Sequence, residues 1–106
     1  MRLRIVSDLH HEFGFPWRWP ADRDRYDLIV TAGDIAGSCP EAIKSLEDLG
    51  PALFVPGNHE HYRHVLQDNI DAGRVAAAGT QVSFLSRDTA IIDGVRFIGA
   101  TLWSDY

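Results

Sequence analysis

Apolar residues in this chain come in short blocks that stop abruptly at polar ones. "RLRIVSD" (2–8) alternates at first and then becomes continuously apolar, the pattern of a strand buried on both faces. "DLIVTAGD" (27–34) and "ALFVPG" (52–57) repeat that form, each closing on Gly-containing punctuation. Between the second and third blocks, "CPEAIKSLEDLG" (39–50) has helical spacing. Pro40 sits as a first-turn proline, Ala42, Ile43, Leu46 and Leu49 share a face, and Gly50 terminates. "HYRHVLQDNIDAGRVAAAG" (61–79) also reads as a helix, with Gly73 weakening its middle. Val82 to Leu85, Thr89 to Ile92 and Val95 to Leu102 follow as three strands, the last two joined by Asp93-Gly94, a favoured hairpin turn.

The aromatic, Pro-rich and charged stretch "HHEFGFPWRWPADRDRYD" (10–27) has neither period and reads as a surface loop. Trp17 and Trp19 either fold back onto the domain or form a substrate-facing flap. The order of elements predicts an α/β domain with a parallel sheet at its start and a later β-hairpin. There are no repeats or linkers, so residues 1–106 form one structural unit.

Composition narrows the partners. The net charge is -5, and Lys44 and the scattered arginines make no basic cluster, which argues against a nucleic-acid surface or an acidic membrane. Cys39 is the only cysteine, so no internal disulfide forms, and it reads as a small loop residue rather than a reactive thiol. The first apolar run ends at Ser7-Asp8, too early for a signal-peptide core or a membrane span, and a cytoplasmic protein is expected.

The chemistry lies at the strand ends. In open α/β sheets, ligands bind outside the carboxyl ends of the strands. The first three blocks finish in "SDLHH", "AGDIAG" and "PGNHEHY". Asp8 and His10 are two apart, so an extended segment would project both the same way. Asp34 and Asn58 emerge at the corresponding places of the next two blocks, and equal stretches, 11 to 32 and 35 to 56, separate His10 from Gly33 and Asp34 from Gly57. Each motif alone is ordinary turn vocabulary; their conjunction predicts a metal site. Two carboxylates, an imidazole and an amide oxygen make a mixed O/N set that suits Mn, Fe or Zn. One carboxylate can bridge two divalent ions about 3.5–4 Å apart. The neutral Asn58 preserves a positive surplus toward an anionic phosphate.

"SDLH", "AGD" and "PGNHE" together resemble the first three signature blocks of the calcineurin-like metallophosphoesterases. The resemblance runs from Asp8 through "IGATLWSDY" and implies a four-layer α/β/β/α sandwich holding two divalent metal ions. It implies Asp8 and His10 on the first metal, Asp34 bridging, Asn58 on the second, and His59 as proton donor to the leaving oxygen of a small phosphomonoester or phosphodiester. Glu60 would hold the turn in shape. His11, His61 and His64 match no role.

Two departures matter. The protein Ser/Thr phosphatase branch has, at its second block, an Asp partner for the catalytic His and a phosphate-gripping Arg, where this chain has Gly37 and Ser38; Pro56 likewise replaces the Arg that precedes Gly-Asn-His-Glu. Phosphoprotein hydrolysis is therefore disfavoured. The family also completes its metal shells with a lone His and a Gly-His-x-His, and no histidine follows His64. The expectation is an incomplete domain carrying the first half of the site, with weak or single metal occupancy and possible self-association through open sheet edges. The alternative is a non-catalytic metal- or phosphate-binding module, or one that needs a partner to close the fold.

Overall fold

The computed structural model describes residues 1–14, 17–22 and 25–104. The loop expected over 10–27 is thus seen in parts, with Phe15, Pro16, Arg23 and Asp24 outside the described residues, as are Asp105 and Tyr106. Strands β1 (Leu3–Val6), β2 (Leu28–Ala32), β3 (Ala52–Val55) and β4 (Val82–Phe84) form a parallel sheet in chain order. Helix α1 (Cys39–Leu46) connects β2 to β3, and α2 (Leu66–Ala77) connects β3 to β4. Strands β5 (Asp88–Ile92) and β6 (Val95–Gly99) form a separate antiparallel hairpin. The fold is α/β, with a parallel sheet followed by a hairpin, as a fragment of the sandwich would be.

Alternation along the strands sends neighbouring residues to opposite faces, and two cores result. On one face Ile29, Ala52, Phe54, Val82 and Phe84 pack against Ala42, Ile43 and Leu46 of α1. On the other, Leu28, Leu53 and Leu85 meet Ala90, Ile92 and Phe97 of the hairpin. The hairpin turns at Asp93 (φ 51°) and Gly94 (φ 73°), the pair of positive φ angles that a tight turn matched to strand twist requires.

Three details depart from the sequence reading. β1 is an edge strand rather than one buried on both faces: Leu3 and Ile5, in register with Leu28 and Val30, stand exposed. Helix α2 begins at Leu66, because His59–His61 forms a 3-10 turn and Arg63 takes a left-handed conformation. Cys39 is not a loop residue: it opens α1, fully buried, with Ser38 capping Glu41 N, and burial pushes its thiol up to about 12. Of the two tryptophans, Trp19 packs on the helix-side core and holds Trp17 edge-on at 4.5 Å.

Candidate metal centre

The loops that leave β1, β2 and β3 are stitched into one surface. Asp8 N donates to Gly33 O (3.0 Å), His10 N to Asp34 O (3.0 Å) and His11 N to Ile35 O (2.8 Å), which continues the β1–β2 pairing beyond the strands. The third loop presses closer still. A Cβ on Gly33, whose φ is +84°, would lie 2.8 Å from Gly57 Cα, and one on Gly57 would lie 2.2 Å from Asp34 Oδ1. Only glycine lets these backbones approach while the Asp34 carboxylate keeps its place.

Glu60 locks the arrangement from below. It is fully buried, and each oxygen accepts two backbone N–H groups: Oε1 from Asp34 (2.8 Å) and Gly57 (2.6 Å), Oε2 from Ile35 (2.6 Å) and Ala36 (2.8 Å). Burial pushes its carboxyl above the usual range, with these four donors opposing. Asn69 of α2 ties the turn to both helices. Its Oδ1 accepts from Cys39 N (3.1 Å), and its Nδ2 donates to Glu60 O (2.7 Å) and His61 Nδ1 (3.0 Å).

Above this frame, the ligand atoms of His10, Asp34 and His59 lie within 4.8 Å of one another. Asp34 Oδ1 also accepts from His59 N at 2.9 Å. Asp8 stands at the rim, its Oδ1 3.5 Å from His10 Nε2 and its side chain largely exposed. Asp8 (φ 58°), His10 (φ 49°) and Asp34 (φ 57°) are all left-handed. That conformation costs about 1–3 kcal/mol per non-glycine residue and persists where surrounding structure enforces it, often at functional sites. The Asp8–His10 segment is therefore not extended, since β1 has ended at Val6; two left-handed residues, not strand alternation, turn these side chains together.

Asn58 joins the group through its amide: Nδ2 donates to Asp34 Oδ1 and Oδ2 (3.3 Å each), and Oδ1 accepts from the Tyr62 hydroxyl at 2.5 Å. The imidazole and carboxylate donors of His10, Asp34 and His59 fit a metal ion.

Glu12 belongs to the site, although no motif pointed to it. Its Oε1 lies 3.0 Å from His10 Nδ1 and 3.1 Å from His59 Nδ1. The only trace in the sequence is that Asp8, His10 and Glu12 alternate. Hydrogen bonding to Glu12 holds His10 above the ordinary imidazole range, partly offset by desolvation, with the Asp34 and Asp8 carboxylates adding to the rise. For Glu12 itself, desolvation pushes upward, but the hydrogen bonds from His10 and His59 help bring the carboxyl to a net lowered value. Of the remaining histidines, His61 bonds Asn69 and His64 Nε2 bonds Gly37 O at 2.8 Å, while His11 Nε2 is buried with no hydrogen-bond partner among the described residues.

Two clefts flank the cluster. One, of about 480 Å³, runs from Asp34 and Asn58 along the apolar sheet face under Phe97 and Ile98. The other, also about 480 Å³, opens beside His59 and is lined by Glu12, Phe13, Glu41, Tyr62 and Arg63. A family model, the calcineurin-like phosphoesterase superfamily domain, matches residues 1–98. Comparison with curated proteins finds no match.

Proposed function

The chain belongs to the calcineurin-like phosphoesterase superfamily, and from that membership we propose that it hydrolyses a small phosphomonoester or phosphodiester at a two-metal centre. The observation that carries the reading is the meeting of His10, Asp34 and His59, from three separate loops, within 4.8 Å. We assign Asp8 and His10 to one ion, Asp34 to a bridging position and Asn58 to the other ion. His59 is the proton donor. Mn, Fe or Zn suits the donor set. Bound divalent ions supply Lewis acidity to the phosphoryl oxygens and activate a water for in-line attack.

The protein's own part follows from its geometry. Asp34 sits at the junction of all three loops, so one carboxylate addresses both ion positions. Asn58 contributes an oxygen without a charge, which keeps the site attractive to an anionic ester. With Nδ1 of His59 turned to Glu12, Nε2 is the nitrogen left to hand a proton to the departing oxygen. The cleft beside His59 then receives the leaving group, and its mixture of Phe13, Tyr62, Glu41 and Arg63 suits a polar organic alcohol.

Four side chains shared between two ions leave each ion few protein ligands, so weak metal binding and slow turnover are expected. The test is hydrolysis of chromogenic phosphomonoesters and phosphodiesters by the chain with Mn(II), with binding followed by calorimetry. Turnover that is abolished by chelation, restored by Mn(II) and lost in Asp34→Asn supports the reading. Mn(II) bound without hydrolysis of either ester overturns it and favours a metal-binding module.

A further inference from the structure

We propose that Glu12 is a positioning residue that sets the tautomer of both site imidazoles, holding His10 and His59 by Nδ1 so that Nε2 of each ring is left free, in His10 as a lone pair for an ion and in His59 to take up a proton and hand it on. This rests on the functional reading for its purpose, though not for its geometry. A carboxylate oxygen has two lone pairs, and Oε1 accepts from both rings, at 3.0 and 3.1 Å. An ionised carboxylate only accepts, so each ring must place its proton on Nδ1. The unprotonated nitrogen of a neutral imidazole is its lone-pair donor, and the partner of the other nitrogen selects which one that is.

The surroundings hold Glu12 to this task. It lies on the 3-10 turn His11–Phe13, between a left-handed His10 and a left-handed Gly14. Gly37 lies against it: a Cβ there would come 3.3 Å from Glu12 Cβ and 3.4 Å from Glu41 Oε2. A larger residue at 37 would therefore push on the carboxylate that serves both rings. Phe13 walls the opposite side, stacked on His10 at 5.4 Å and edge-on to His59 at 6.0 Å. The two imidazoles meet edge to face at 4.5 Å, so neither ring can swing without displacing the other.

The tautomer can be read without metal or substrate. Long-range ¹H–¹⁵N spectra of histidine-labelled, metal-free protein at alkaline pH report which ring nitrogen carries the proton. The expected result is Nδ1–H for His10 and His59 in the native chain. Glu12→Ala should shift both rings toward Nε2–H, and Glu12→Gln, whose amide oxygen still accepts, should restore Nδ1–H in at least one ring. Backbone spectra of Glu12→Gln establish that the fold survives should the alanine variant fail to fold. Native rings in the Nε2–H form, or tautomers unchanged in a folded Glu12→Ala, overturn the proposal. Tautomers as expected alongside no phosphoester hydrolysis would uphold Glu12 and count against the functional reading alone.

Discussion

Glu60 shows how a single side chain fixes the frame of the centre. Its two oxygens take two backbone N–H groups each, so an isosteric amide cannot replace it: whichever way Gln turns, its NH2 faces two donors. Hydrogen bonds to a charged acceptor are worth roughly 1.5–3 kcal/mol each, and stranded buried donors cost more than a mean bond. Glu60→Gln is expected to lower stability by about 2–4 kcal/mol in urea unfolding; a change below about 0.5 kcal/mol would show that the clamp carries no load. The sequence made part of this visible. A Gly-Asn-His-Glu turn implies a residue holding the loop, but the targets at Asp34, Ile35 and Ala36 lie in another loop and could not be read from spacing. Glu12 was hidden for the same reason. Its partners His10 and His59 come together only through folding, and nothing about a glutamate after two histidines sets it apart from a solvated one.

At the level of elements, the junction of α1, α2 and the 59–61 turn carries a pH response. Asn69 Nδ2 donates to His61 Nδ1, so this ring must be neutral, with its proton on Nε2. Burial lowers the His61 pKa from its ordinary value of 6.5, with the nearby His64 adding to the effect. The unfolded chain then binds a proton that the folded one resists. Stability is therefore full above about 6.5 and falls as pH drops from there toward the folded value. Urea unfolding of metal-free protein across this window should show that fall, and His61→Phe should be less stable at neutral pH but shallower in its response. An unchanged slope would remove His61 as its source. Gly73 of α2, at the same junction, is a lesson in what propensity conceals. It reads as a flaw in a helix, yet a Cβ there would lie 2.9 Å from Cys39 Cβ and 3.2 Å from the Phe84 ring, so the two helices and the sheet close only over a glycine. Periodicity located both helices and every strand, but it treated β1 as interior, because an apolar run does not say whether a neighbour exists to cover it.

Across the whole molecule, the uneven covering of the sheet and hairpin has a consequence for behaviour in solution. The helix face of the sheet is closed by α1 and α2, whereas on the hairpin face Leu28, Leu53 and Leu85 are buried and Val30 and Val55 are covered only in part. Leu3 and Ile5 on the edge strand stand open, and Ile5 is 66% exposed. On the outer side of the hairpin, Ile91 and Ile98 are 67% and 79% exposed, and Leu102 beyond it is 90% exposed. Isolated apolar surface residues are ordinary, but neighbours on strands with unpaired edges invite pairing and burial between copies. We expect the chain to self-associate reversibly, with a sedimentation-derived mass that rises with concentration. Ile91→Glu puts a charge on the outer hairpin face, opposite Arg96 and away from both clefts, and it should shift the distribution toward monomer while leaving Mn(II) binding intact. A native chain that stays monomeric over the full concentration range would mean that these side chains are tolerated singly, and that the exposed hairpin face drives no contact between copies.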